Sequence, residues 1–232
     1  MRPRLVVALA ALGVLAGAVA EAPTALRRIR FFRVRRVELV GVRYLSPDSV
    51  LAALAIQPDQ NVFDDAGAIE RRASTLDGVV SARVERKLPG TLRVSLVERV
   101  PVAFAPGPDR LVALDGDGRP LPYNPTATAL DLPVIGRPDS LLVRTLAVVR
   151  LTDSTLFQQV DGARRGTGGG VTLELGKQRV LLPGVPSAED VRAVAAVRRH
   201  LTASGRRYDE LDARFEGWVV VRRSRSGGGG AA

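Results

Sequence analysis

Leu5–Ala20 reads LVVALAALGVLAGAVA, sixteen residues without a charge. A run that is apolar on every helical face, placed at the extreme N-terminus, is not a surface helix and makes a poor core helix. As a helix it spans about 24 Å, short of a hydrocarbon core about 30 Å thick. Carried on to Leu26 it reaches about 33 Å, with Glu21 near the far interface. Two readings stand. One is a single-pass membrane segment over residues 5–26, preceded by a short tail, 1–4. The other is a cleaved signal peptide ending at the A-x-A pattern Ala18-Val19-Ala20. Both export the remaining chain.

The charge distribution sharpens this. The 232 residues carry a formal +10, a value that by itself suggests a polyanionic partner. Residues 1–36 hold +7 of it, through Arg2, Arg4, Arg27, Arg28, Arg30, Arg33, Arg35 and Arg36 against Glu21. Residues 222–232 hold +3, and residues 37–221 balance 23 basic against 23 acidic side chains. A nucleic-acid domain would carry its excess in the fold, so nucleic acid is not the expected partner. The arginines form instead a collar beside the apolar segment, in a basic linker over 27–33 and just beyond it. Two arginines precede the segment and six follow within 27–36, a bias that alone favours a cytoplasmic C-terminal side.

Beyond the collar, the pattern predicts a strand over Val34–Val40 closed by Gly41, then a helix capped by Ser46 with Val50, Leu51 and Leu54 on one face. A second helix, capped by Asp64 or Asp65, has the face Ala66, Ile69, Ala73 and Leu76. Val79–Val84 and Leu92–Val97 make a hairpin around Leu88-Pro89-Gly90-Thr91. The order is strand, helix, helix, strand, strand, with a mixed sheet.

From Pro101 the texture is β-rich. Expected strands are Leu111–Leu114, Leu132–Ile135, Phe157–Val160, Val171–Leu175, Val180–Leu182, Glu210–Phe215 and Trp218–Arg222. Two helices are expected, one capped by Ser140 and running to Leu151, the other capped by Ser187 and ended by Gly205. Ser224–Ala232 is expected to be disordered.

Sites for chemistry are scarce. There is no Cys, which removes disulfides, thiol nucleophiles and Cys-based zinc sites, and the one His, His200, has no triad or metal spacing around it. Asp115-Gly-Asp-Gly118 lacks the distant bidentate carboxylate of a calcium loop and reads as a hairpin turn. Gly166-Thr-Gly-Gly-Gly170 precedes a strand rather than a helix, so it reads as a turn and not a phosphate cradle. No catalytic residue, metal, cofactor or small-molecule substrate is expected. Trp218-Val-Val-Val221 is different: the only Trp stands in an apolar run at the end of the fold. It either packs inside or forms an edge strand open to a partner strand.

The stretches RVRRVELVGVRYLSPDSVLAAL (33–54) and QNVFDDAGAIERRASTLDGVVSARVERKLPGTLRVSLVERVPVA (60–103) resemble a POTRA domain of the FtsQ/DivIB family of bacterial division proteins. Strand-Gly-x-x-x-Leu-Ser, Asn-x-Phe, Lys-Leu-Pro-Gly-Thr-Leu and Val-Glu-Arg-x-Pro carry the resemblance. LVALDGDGRPL (111–121), LPVIG (132–136) and GRRYDELDARF (205–215) resemble that family's β domain.

The resemblance implies an α+β protein: a membrane helix, a β-α-α-β-β POTRA domain over 34–101, and a β-rich domain over 102–223 that ends in an edge strand. It also implies a non-catalytic scaffold of the inner membrane at the division septum, with a cytoplasmic N-terminus and extracytoplasmic domains. FtsB- and FtsL-like partners would add a strand at the β-domain edge, and an FtsK-like partner would meet the POTRA domain. By motif, Arg206, Asp212, Arg214 and Phe215 border this edge, and Trp218, Val219, Val220, Val221 and Arg222 form it. Phe215 and Trp218 are expected as aromatic anchors and Arg214 as a partner for acidic residues. The alternative is a POTRA module of envelope assembly or transport, which would need several POTRA repeats or barrel strands.

Overall fold

A computed structural model describes residues 29–124 and 130–223. The apolar segment, Arg27, Arg28 and the tail 224–232 lie outside the described residues. The chain divides into two compact units between Glu98 and Arg99.

The first unit opens with a 3-10 turn, Arg30–Phe32. Strand β1 (Arg36–Val40), helices α1 (Pro47–Leu54) and α2 (Ala66–Ser74), and strands β2 (Val79–Lys87) and β3 (Thr91–Glu98) follow. The sheet order is β1-β3-β2. β1 runs parallel to β3, with Val37 opposite Leu92, and β2 and β3 form the antiparallel hairpin. Strand β3 shows why the sheet has one wet face: Leu92, Val94 and Leu96 are buried at a period of two. They join Val50 and Leu54 of α1 and Ile69 and Ala73 of α2 in one core. Each Val, Leu or Ile side chain taken from water in this core stabilises the fold by about 1.5–3 kcal/mol.

The motif residues have local reasons. Gly41 has φ +84°, and a Cβ there would stand 2.1 Å from the Leu96 carbonyl oxygen. Only glycine fits. The buried Glu98 carboxylate accepts the backbone N–H groups of Arg43 (2.9 Å), Tyr44 (2.8 Å) and Leu45 (3.0 Å). Asn61 Oδ1 accepts the Phe63 N–H at 3.0 Å, and Phe63 stands edge-on to Phe32 with centroids 5.1 Å apart.

Two local expectations for this unit change, and the choice between Asp64 and Asp65 is decided. Ser46 holds the N-cap position of α1 but makes no side-chain cap bond, and Pro47 opens the helix. Leu51 is exposed, because the 100° step between residues turns it off the Val50–Leu54 stripe. Asp65 caps α2 by accepting from Ala68 N–H, while Asp64 accepts the Asn61 N–H at 2.7 Å.

The second unit is a nine-stranded sheet in the order β12-β11-β10-β9-β8-β7-β4-β5-β6. Its strands are β4 (Pro101–Pro106), β5 (Leu111–Asp115), β6 (Pro120–Leu121), β7 (Val134–Ile135), β8 (Gly162–Arg165), β9 (Val171–Leu175), β10 (Gln178–Leu182), β11 (Glu210–Phe215) and β12 (Trp218–Arg222). Helices α3 (Ser140–Thr152) and α4 (Ser154–Phe157) connect β7 to β8. Helix α5 (Ala188–Ala203) connects β10 to β11. Both pairs are parallel, and a parallel pair requires such a crossover.

Asp139, not Ser140, caps α3, accepting from Leu141 and Leu142 N–H. The expected strand Phe157–Val160 is instead the end of α4 and a turn. Asp153 caps that helix at Leu156 N–H, and two apolar residues flanking Gln158 and Gln159 do not distinguish helix from strand. The strand lies one step on, at Gly162–Arg165, where two arginines hid it. Asp115 Oδ1 accepts from Asp117 and Arg119 N–H, both at 2.9 Å, which makes the Asp-Gly-Asp-Gly run a hairpin turn between β5 and β6.

Replacing Glu98 by Ala would leave three backbone donors without their acceptor. We expect Glu98→Ala to lower stability by about 3 kcal/mol, read by urea unfolding of the full chain. An unchanged midpoint would mean that the 43–45 turn has no need of this carboxylate.

Candidate partner-binding edge

The site is built by topology. Ser187 caps α5 in a capping box with Asp190, and the helix buries Val191, Val194, Ala195 and Leu201. It returns the chain in the direction of β10, so β11 must lie parallel beside it, with Val180 opposite Leu211. A tight turn then folds β12 back along β11, with Leu211 opposite Val221 and Phe215 opposite Trp218. Gly217 holds φ +74° in that turn. β12 ends the sheet and has β11 as its one strand neighbour among the described residues. Among the described residues no strand pairs with the other side of its backbone.

The edge rests on a charged ladder across three strands. The Asp212 side chain is 0% exposed. It receives Arg214 in a two-point grip, Nε to Oδ1 at 2.8 Å and Nη2 to Oδ2 at 2.7 Å. Arg222 reaches the same Oδ2 at 3.4 Å from β12. Beside it, Glu210 is shared by Arg179 of β10 at 3.4 Å and Arg222 at 3.3 Å. Arg214 Nη1 also donates to the Thr167 carbonyl at 3.3 Å, tying the glycine-rich turn to the hairpin. The Arg214 hydrogen bonds are the main reason the Asp212 carboxyl is held below the ordinary aspartate range, against the opposing effect of burial.

The sequence-derived residues therefore divide. Phe215 (52% exposed) and Trp218 (75%) stand open, as does Val220, while Val219 and Val221 are half-buried. Asp212 touches no surface and acts from inside the sheet. Arg214 is not free to meet acidic partner residues, because Asp212 and Thr167 hold its guanidinium. Arg222 is exposed on the edge strand, and Arg206 lies in the exposed turn after α5. Sequence reasoning placed Ser187 and Glu189 at a helix start and assigned neither them nor Ala193 to the site. They line, with Phe215, Trp218 and Val219, a groove of about 500 Å³ between the start of α5 and the β11–β12 hairpin. Of the collar, Arg30, Arg33, Arg35 and Arg36 are all exposed on the first unit. Among the described residues no group of three or more acidic or imidazole side chains could hold a metal ion, and no helix is long and apolar enough to cross a membrane.

Residues 32–99 match the family model of the FtsQ-type POTRA domain. The cell division protein FtsQ of Mycolicibacterium smegmatis is 31% identical over 179 residues, which cover 75% of this chain and 54% of the relative. That of Mycobacteroides abscessus is 32% identical over 182 residues, 76% of this chain and 58% of the relative. The FtsQ of Syntrophotalea carbinolica is 29% identical over 162 residues, 68% of this chain and 57% of the relative. Residues 32–99 belong to the FtsQ-type POTRA family, and the chain as a whole is similar to FtsQ proteins. These relatives are named as cell division proteins. The matched chain spans between 54% and 58% of these three relatives' length.

Strong acid should loosen this edge. A carboxyl whose folded pKa lies below its unfolded value stabilises the fold fully above the unfolded value, here near 3.8. That contribution disappears as pH falls through the lower folded value. We expect Asp212→Asn to flatten the fall of stability with acid and Arg214→Ala to cost about 2 kcal/mol at neutral pH. Urea midpoints measured between pH 7 and 3 test both, and an Asp212→Asn curve parallel to the unsubstituted one would contradict the assignment.

Proposed function

We propose that this chain is a non-catalytic scaffold of the bacterial division machinery, held at the septal inner membrane by residues 5–26 with its two folded units outside the cytoplasm. It captures a partner by strand addition at β12, and so helps recruit or regulate septal wall synthesis. FtsB- and FtsL-like proteins are the partners at this edge, and an FtsK-like protein meets the POTRA domain.

The observation that carries this reading is the exposure of Trp218 and Val220 on a terminal strand whose outer side no described strand pairs. Folded proteins protect such edges, because unpaired N–H and C=O groups invite pairing. An added strand satisfies those groups for affinity, and side-chain contacts supply specificity. Phe215 and Trp218 form a cross-strand aromatic pair at the mouth of the α5 groove, suited to anchoring the partner. The carboxylates Glu189 and Asp190 at the other wall favour a partner with basic residues there.

Depletion in the host tests the class of function. Filamentation supports division, whereas loss of outer-membrane barrels would point to an assembly module. The site has its own test. Phe215→Ala with Trp218→Ala should weaken capture of the host's FtsB/FtsL-like pair by about tenfold or more. The melting temperature should move by no more than about 2 °C, since both rings are exposed. A large drop in melting temperature with unchanged capture would overturn the assignment.

A further inference from the structure

The basic collar is not a loose tether. From Ile29 onward it is fastened to the first unit. Asn61 Nδ2 donates to the Ile29 carbonyl at 3.1 Å, Val62 N–H donates to the Phe32 carbonyl at 2.9 Å, and Val34 N–H donates to the Gln60 carbonyl at 2.8 Å. Phe32 packs on Phe63 at the margin of the core. Only three peptide steps separate Leu26, where the apolar stretch ends, from Ile29. They reach at most about 11 Å. A domain fastened at Ile29 therefore has one pole held against whatever surface the apolar stretch enters.

That pole has a particular chemistry. Arg35 and Arg36 N–H both donate to the Gly90 carbonyl, which places the collar against the β2–β3 turn. Leu88 at the tip of that turn is 61% exposed, and Phe31 is 59% exposed. The Arg35 guanidinium joins them. It lies 5.8 Å from the Phe31 ring centre, and its Nε would be 3.0 Å from a Cβ placed on Gly90. Arg30, Arg33 and Arg36 are exposed, and among the described residues their side chains have no hydrogen-bond or ion-pair partner. The β1 carboxylate, Glu38, is already held by Lys87 at 2.9 Å and Arg93 at 3.0 Å. The pole thus offers two projecting apolar side chains among three uncommitted arginines and Arg35, whose guanidinium donates to the Phe31 carbonyl at 3.3 Å.

We propose that this pole is a lipid-binding site: Arg30, Arg33, Arg35 and Arg36 engage anionic headgroups while Phe31 and Leu88 enter the interface. The inference rests on reading residues 5–26 as membrane-embedded. Attraction to an anionic bilayer fades within a Debye length of about 8–10 Å. The tether holds the arginines inside that range. Apolar tips amid basic residues are the pattern of an interfacial contact. A projecting turn suits a surface that yields around it. Docking by this pole fixes how the first unit stands on the bilayer, since Glu98, its last residue, lies at the far end of β3, about 23 Å along the strand from Thr91.

The chain has no Cys, so one introduced thiol reports one position. The full chain would be reconstituted in vesicles of phosphatidylcholine alone or with a third phosphatidylglycerol. A spin label would be placed at Leu88→Cys, or at Val80→Cys as control. Val80 is exposed and lies about 26 Å back along β2. In anionic vesicles the label at 88 should lose collisions with a water-soluble nickel complex by about threefold or more, and the label at 80 should not. Arg30→Glu with Arg36→Glu should restore access at 88 while the chain still floats with the vesicles and keeps its melting temperature. Equal access at 88 and 80 in a chain that floats through a high-salt wash would overturn the docking. A chain that does not float would overturn the membrane reading of residues 5–26, and the docking with it.

Discussion

The Asp212 carboxylate has no exposed surface, yet it carries a charge, and the end of the sheet is organised around neutralising it. A buried charge is tolerated only when paired and hydrogen-bonded. Here Arg214 supplies the two-point grip from the same strand and Arg222 the second cation from the neighbouring one. The consequence is positional. Arg222 belongs to β12, so the ladder pins the last strand of the fold in register on β11. Arg179 and Glu210 extend the same pattern to β10. Without it β12 would be a short terminal strand held by one ladder of backbone bonds and two half-buried valines. With it, the strand is a firm template whose outer side no described strand pairs. The interior charges build the edge, and the aromatic residues outside it are left free for contact.

Much of the first unit was legible from sequence because its determinants are local. Gly41, Asp65 and Asn61 act within turns or at a helix end, whereas Glu98 serves the distant 43–45 turn from the end of β3. The alternation of Leu92, Val94 and Leu96 states directly which face of β3 is buried. The β-α-α-β-β order and its mixed sheet follow from such signals. The second unit was legible in its elements and not in their arrangement. Strand order across nine strands is set by pairings between residues far apart in the chain, such as Phe104 with Val134 or Val134 with Gly162. No periodicity encodes these. Phe157 illustrates the remaining ambiguity: Phe157 and Val160 flanking two glutamines were equally compatible with the helix that Asp153 caps.

The candidate edge shows the same division. The apolar run at Trp218–Val221 was visible, and so was its place at the end of the chain. Its exposure was not, since an identical run would suit an interior strand. The crossover helix α5 decides the matter, by returning the chain parallel to β10 and leaving β12 outermost. Arg214 was misjudged for a related reason. A basic residue two positions after an Asp in a strand faces the same side, so the two pair with each other before either meets a partner. The α5 groove could not have been named from sequence, because Ser187 and Trp218 are brought together only by the packing of helix on hairpin.

Strand addition at β12 makes a direct statement about backbone protons. Hydrogen exchange of the full chain, alone and saturated with the FtsB/FtsL-like pair, would report it. Amides over residues 218–222 should become strongly protected in the complex, while those of the opposite edge, β6, should not change. Unchanged exchange over 218–222 in a saturated complex would contradict partner capture at this edge.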